Sequence, residues 1–374
     1  MTDQEMKEII NQFVIYGDII SFAPYGSGHI NDTYVVNTNQ AGTDIRYIIQ
    51  RINTKVFTDP EGLMSNIKRI TETLQKGYQD NDVIDSSRRT LTVIPSREGK
   101  PYLVDQTGNY WRMYLFIEKA LGYDFIENTT QAFEAAKSFG EYQKLLNDMK
   151  GERLVETIKD FHNTPKRFEY FKSVLAKASS LKKDQAKEEI DFYLSREEET
   201  SHLMNLYKSG KIPERITHND CKLNNVLLDV HNYKAICVID LDTTMPGLSL
   251  YDFGDLVRTS VVRAPEDEKD LTQIVIDMEM FRSLIDGYLI STLSFLNETE
   301  RENLVFGGKI MTYEVGLRFL TDFLEGDKYF KTSYEEHNLV RTRTQMTLVK
   351  AIEKCQKEME AYVEHRYNKL IAKN

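Results

Sequence analysis

Cysteine is scarce in this chain. The three present among 374 residues, Cys221, Cys237 and Cys355, are odd in number and lack metal-ligand spacing, which argues against a disulfide framework and a zinc site. Basic residues are outnumbered as well: 48 Lys and Arg face 58 Asp and Glu, a formal net charge of −10. That balance speaks against a general nucleic-acid binder, yet it leaves room for a local basic pocket that takes nucleotide phosphates. No apolar run approaches a membrane span. The opening MTDQEMKEIINQF carries acidic residues and no apolar core, so it does not read as a secretory leader. A cytoplasmic setting, away from membranes and with ATP at hand, is the expectation. Internal repeats, low-complexity segments and sustained heptads are also missing.

What remains is ordinary for a soluble protein, with 41% hydrophobic and 28% charged residues. The length suffices for two lobes, each with its own core. The informative stretch runs from Ile216 to Asp255, ITHNDCKLNNVLLDVHNYKAICVIDLDTTMPGLSLYDFGD. The step from Asp220 to Asn225 is that of a kinase catalytic loop, in which the Asp accepts a hydroxyl proton and the Asn holds Mg²⁺. Two apolar runs follow, Val226 to Leu228 and Ala235 to Ile239, separated by the polar DVHNYK. This predicts a hairpin whose second strand ends at Asp240, a carboxylate placed to meet the same metal, with Asp242 as an additional ligand. Phosphoryl transfer needs charge and metal in position more than covalent chemistry, and Mg²⁺ asks for a few hard oxygens.

Toward the N-terminus, Ile19 to Phe22, Thr33 to Asn37 and Asp44 to Ile52 read as strands, the first two around a glycine-containing turn. Gly26 and Gly28 let backbone approach phosphates, and the amides around Ser27, His29 and Asn31, with Thr33 beyond, can donate to them. A kinase places a phosphate-pairing lysine on its third strand; here the residues are Gln50 and Arg51. Alternation allows only one to face the nucleotide, and Arg51 is the candidate cation. After Pro60 the apolar residues Leu63, Met64, Ile67, Ile70 and Leu74 predict a helix packed on the small sheet. From Thr129 onward helical periodicity dominates. Asp255 reads as a helix-capping residue.

HNDCKLNNVLLD followed by VIDLDTTMPGLSLYDFGDLVR resembles the phosphotransferase family that contains aminoglycoside phosphotransferases, choline kinases and sugar 1-kinases. YGSGHINDTY, IIQRINTKVF, GLRFLTDFLEGDKYFK and HNLVRTRTQ extend the likeness over most of the chain, and the last two carry it toward the N-acetylhexosamine 1-kinase group. The resemblance implies an α+β, bilobal protein kinase-like fold, with a small antiparallel-sheet N-lobe over residues 1–117, a hinge over 118–124 and a mainly helical C-lobe over 125–374. It also implies ATP and Mg²⁺ as cofactors, Glu118 in the adenine-binding hinge, and Asp252 as a brace for the catalytic loop. His29, Asp220, Arg318 and Tyr329 would surround a sugar acceptor whose anomeric hydroxyl is phosphorylated; spacing alone also allows Arg318, Asp322 and Glu325 to form an ion-pair face on a helix. An aminoglycoside, choline or other small hydroxyl compound is the alternative acceptor, and a nonenzymatic nucleotide-binding regulator the alternative role. A monomer is expected.

Overall fold

A computed structural model describes residues 2–26 and 30–373. The chain opens with helix α1 (Asp3–Asn11), started by a capping box in which the Thr2 side chain accepts from the Glu5 amide. Strands β1 (Asp18–Pro24), β2 (Asp32–Gln40) and β3 (Thr43–Arg51) form an antiparallel meander, and α2 (Pro60–Asp80) follows, its first turn set by the Asp59 cap and by proline. The short strands β4 (Val93–Ile94) and β5 (Leu103–Val104) and the longer β6 (Tyr110–Leu115) complete a six-stranded sheet ordered β1-β2-β3-β6-β4, with β5 also on β6.

One face of this sheet buries Val36, Tyr47, Ile49, Trp111 and Met113 against Met6 and Ile10 of α1 and the following Phe13. Each such side chain contributes about 1.5–3 kcal/mol of burial. Helix α1 covers that face. Helix α2, expected on the small sheet, turns Leu63, Met64, Ile67, Ile70 and Leu74 into the larger core, which takes Tyr114 and Ile48 from the other face of the sheet together with residues of the helical half.

After β7 (Ala120–Leu121) the chain becomes helical: α3 (Thr129–Asn147), α4 (Thr164–Lys177), α5 (Ser180–Gln185), α6 (Lys187–Leu194) and α7 (His202–Lys208). A short β region interrupts it, with β8 (Arg215–Thr217), β9 (Val226–Asp229), β10 (Ala235–Val238) and β11 (Met245–Gly247). Then come α8 (Ser249–Ser260), α9 (Met278–Thr292), α10 (Glu298–Glu302), α11 (Leu304–Glu325) and α12 (His337–Ile371). Strands β10, β9 and β7 form one small sheet, and β11 pairs with β8. The architecture is the expected α+β one, an antiparallel-sheet N-terminal part on a helical C-terminal part. Among the described residues no helix is long and apolar enough to cross a membrane.

Candidate active site

The expected hairpin is β9 and β10, with Val226 opposite Val238 and the Ile239 amide donating to the Asn225 carbonyl at 2.9 Å. Because the ribbon ends there, Asn225 and Asp240 lie side by side. Asn225 in turn folds back on the loop, its Nδ2 donating to the Asp220 carbonyl at 2.8 Å and to Asp220 Oδ2 at 2.9 Å. Asp220, Asn225 and Asp240 thus converge, and Lys222 Nζ adds a cation 3.2 Å from Asp220 Oδ1.

Asp240 takes left-handed backbone (φ 58°) immediately after the strand, which tips its side chain out of the ribbon. The residue is exposed by surface area, while its carboxyl lies among the charges of Asp242, Asp220, Arg112 and Lys222. Desolvation first, then the charges of Asp242 and Asp220, pushes its carboxyl up to about 7 against the pull of Arg112 and Lys222. Among the described residues neither the Asp240 carboxylate nor Asn225 Oδ1 accepts a hydrogen bond, and among the same residues no group of three His, Cys, Asp or Glu side chains is arranged to hold an ion. One carboxylate and one amide oxygen, completed by phosphate oxygens, are a donor set that fits Mg²⁺.

The loop is braced from below by Asp252 in the first turn of α8. Its buried carboxylate accepts from the His218 amide at 2.9 Å, the Asn219 amide at 2.7 Å and Gln143 Nε2 at 2.7 Å. Asp255, expected as a helix cap, lies inside α8 and is ion-paired with Arg258 at 2.8 Å; the helix starts earlier, at Ser249, than the sequence suggested. Cys221 is fully buried and its thiol is pushed far above its ordinary range by that burial, so it packs as an inert side chain.

The third-strand cation is corrected. Gln50 faces inward, its Nε2 donating to Thr33 Oγ1 at 2.9 Å, while Arg51 faces the other way and pairs with Asp32, its Nε donating at 2.8 Å. The buried guanidinium is that of Arg112, directly across from Gln50 on β6. It donates through Nε to Gln50 at 2.9 Å and forks onto both oxygens of Asp242. Asp242 Oδ2 also accepts from Asn31 Nδ2 at 2.7 Å, and Asn31 Oδ1 accepts from the Asn53 amide at 3.0 Å. Asp242 is consequently an ion-pair partner joining the two halves, not an additional metal ligand, and the Asn31 side chain belongs to that joint rather than to a phosphate. Arg112 went unread because an arginine in a strand ordinarily faces solvent. The signal was its place between Trp111 and Met113, inside a run that had to be buried.

Gly26 has φ +80° with open space where a Cβ would project, as a phosphate-approaching turn needs. Ser27, Gly28 and His29 lie outside the described residues. At the other end, Glu118 is paired with Arg46, whose guanidinium stacks 3.9 Å from the Phe116 ring. A recess lined by Ile20, Ser21, Asn37, Arg46 and Glu118 opens there.

Arg318 of α11, expected at the acceptor, is framed by aromatic rings, with its guanidinium carbon 5.3 Å from Phe161, 5.9 Å from Tyr329 and 5.6 Å from Phe330. The ion-pair face allowed by spacing does not form. Asp322 instead accepts from the amides of Lys328, Tyr329 and Phe330 at 2.8–2.9 Å, and Glu325 accepts from the Tyr170 hydroxyl. Arg167 lies close enough for the Arg318 charge to add to burial in lowering its pKa. Among the described residues neither of these arginines has a carboxylate partner.

Residues 105–278 match the family model described as "Phosphotransferase enzyme family". The match spans a little under half of the chain. It contains the whole constellation of Asp220, Asn225 and Asp240, and the chain is a small-molecule phosphotransferase with a hydroxyl acceptor. Solved structures agree with the phosphotransferase in fold. A spectinomycin phosphotransferase in complex with ADP and spectinomycin is 15% identical, with a TM-score of 0.57 over 95% of this chain and 99% of that one. Ethanolamine kinase of Plasmodium vivax is 16% identical, with a TM-score of 0.54 over 90% and 83%. Choline kinase of Cryptosporidium parvum Iowa II is 17% identical, with a TM-score of 0.52 over 91% and 91%.

Proposed function

We propose that this phosphotransferase is an ATP-dependent N-acetylhexosamine 1-kinase, moving the γ-phosphoryl group of ATP to the anomeric hydroxyl of N-acetylglucosamine or N-acetylgalactosamine to give the sugar 1-phosphate and ADP. Asp220 orients that hydroxyl and receives its proton late in transfer, because a carboxylate is too weak a base to ionise it beforehand. Asn225 Oδ1 and the Asp240 carboxylate hold Mg²⁺, which offsets the charge on the phosphate oxygens. Residues 1–117, with Gly26 and Thr33, cover the nucleotide, the backbone of 118–124 meets the base, and 125–374 carry the loop and the acceptor wall. A cytoplasmic monomer is part of the same reading.

The observation that carries the choice of acceptor is the wall itself. Arg318, in its frame of Phe161, Tyr329 and Phe330, and Arg167 beside it present guanidinium donors and aromatic faces. Sugar hydroxyl and acetamido oxygens accept from such donors, and a pyranose stacks on such rings. A choline or aminoglycoside cation would meet like charge there. ADP release measured in parallel with N-acetylglucosamine, N-acetylgalactosamine, kanamycin and choline tests this, with phosphorus NMR locating the phosphate. Turnover with either amino sugar and phosphate on the anomeric carbon is expected. Preference for choline or kanamycin would replace the sugar reading, and no turnover with any acceptor would favour a nucleotide-binding regulator.

A further inference from the structure

The residue just before Asp220 is held in an unusual way. Asn219 has left-handed backbone (φ 64°), and both ends of it are clamped. Its amide donates to Asp252 Oδ1 at 2.7 Å, and its side chain is tied down by the Thr243 carbonyl at 2.8 Å. Its carbonyl, part of the peptide that leads into Asp220, sits 3.0 Å from Nε2 of His162. The other ring nitrogen of His162, Nδ1, lies 2.7 Å from Glu314 Oε1 on α11, and Glu314 Oε2 accepts from Thr164 Oγ1 at 2.6 Å. His162 and Glu314 are both buried.

A backbone carbonyl only accepts hydrogen bonds, so Nε2 of His162 donates to Asn219. With the loop on one ring nitrogen and Glu314 on the other, the buried ring bridges the peptide before Asp220 and α11. We propose that His162 is a positioning residue, tying α11, which bears Arg318, to the peptide that orients Asp220. The ring faces Glu314 from α11 and is near the Asp255 carboxylate of α8, with the Tyr251 ring 5.4 Å away and Arg318 one turn further along α11. Without it, the strained Asn219 carbonyl is released and Asp220 is no longer held against the acceptor. The kinetic half of this inference rests on the role proposed for Asp220.

The test uses the full chain labelled with ¹⁵N. The backbone amide signals of Asn219 and Asp220 are expected to shift in both His162→Gln and Glu314→Gln. His162→Gln is also expected to lower kcat about 10- to 100-fold with KM for ATP within about twofold, the split of a misplaced catalytic group. Unmoved amide signals, or unaltered kcat in folded His162→Gln, overturn the proposal. Should that variant not fold, Glu314→Gln decides by the same two readings. If no acceptor tried is turned over, the sugar reading fails while the amide signals still give their answer.

Discussion

Arg112 and Asp242 form a buried fork-to-fork ion pair across the two halves of the molecule, with side chains 1% and 3% exposed. The strand β6 supplies the guanidinium, and the segment two residues beyond Asp240 supplies the carboxylate. The pair therefore sets the height of the N-terminal sheet above the Asp240 end of β10.

Breaking such a pair from one side strands a charge in low dielectric. Arg112→Met is expected to destabilise the protein by about 3–5 kcal/mol in urea unfolding, and Arg112→Met combined with Asp242→Leu to recover most of that loss. Arg112→Lys keeps the charge but loses the fork and the bond to Gln50, so it should fall in between. Additive losses in the double variant would show that the two residues do not act as a pair.

How this joint escaped the sequence, while the centre did not, has a physical reason. The centre is local: Asp220, Asn225 and the hairpin that carries Asp240 lie within one continuous stretch, where loop step and apolar runs dictate the geometry. Arg112 and Asp242 are 130 residues apart, and nothing in either neighbourhood names the other. The same limit applies to α2, whose stripe of Leu63, Met64, Ile67, Ile70 and Leu74 fixed a face buried against the sheet but not the helices that share that core. It applies to Arg318 as well, where i to i+4 spacing suggested carboxylate partners that Asp322 spends on capping the 328–330 turn.

In the N-terminal sheet, Asp105 accepts from Trp111 Nε1 at 2.8 Å, Thr107 Oγ1 at 2.7 Å and Asn109 Nδ2 at 3.0 Å. Burial raises its carboxyl, but the Trp111, Thr107 and Asn109 donors outweigh this and hold it well below the usual carboxylate range. A lowered folded-state pKa contributes stability that is present above the unfolded value of about 3.9 and is lost as pH falls below it. Asp105→Asn is expected to cost about 1–2 kcal/mol at pH 7, discounted for its partial exposure, and less at pH 3. Melting curves at the two pH values check this; an equal gap at both would contradict it.

Asp240, whose carboxylate has no hydrogen-bond partner among the described residues, is expected to be the Mg²⁺ carboxylate. Asp240→Asn should weaken Mg²⁺-dependent ADP binding about tenfold or more, read by calorimetric titration with and without the ion. An unaltered metal titration would place the ion elsewhere.

The most direct measurement is turnover and nucleotide affinity of Asp220→Asn, a substitution that preserves shape and removes the proton acceptor. The account predicts that kcat falls about 10²- to 10⁴-fold while ATP dissociation stays within about twofold of the native protein. Undiminished turnover in Asp220→Asn would contradict it.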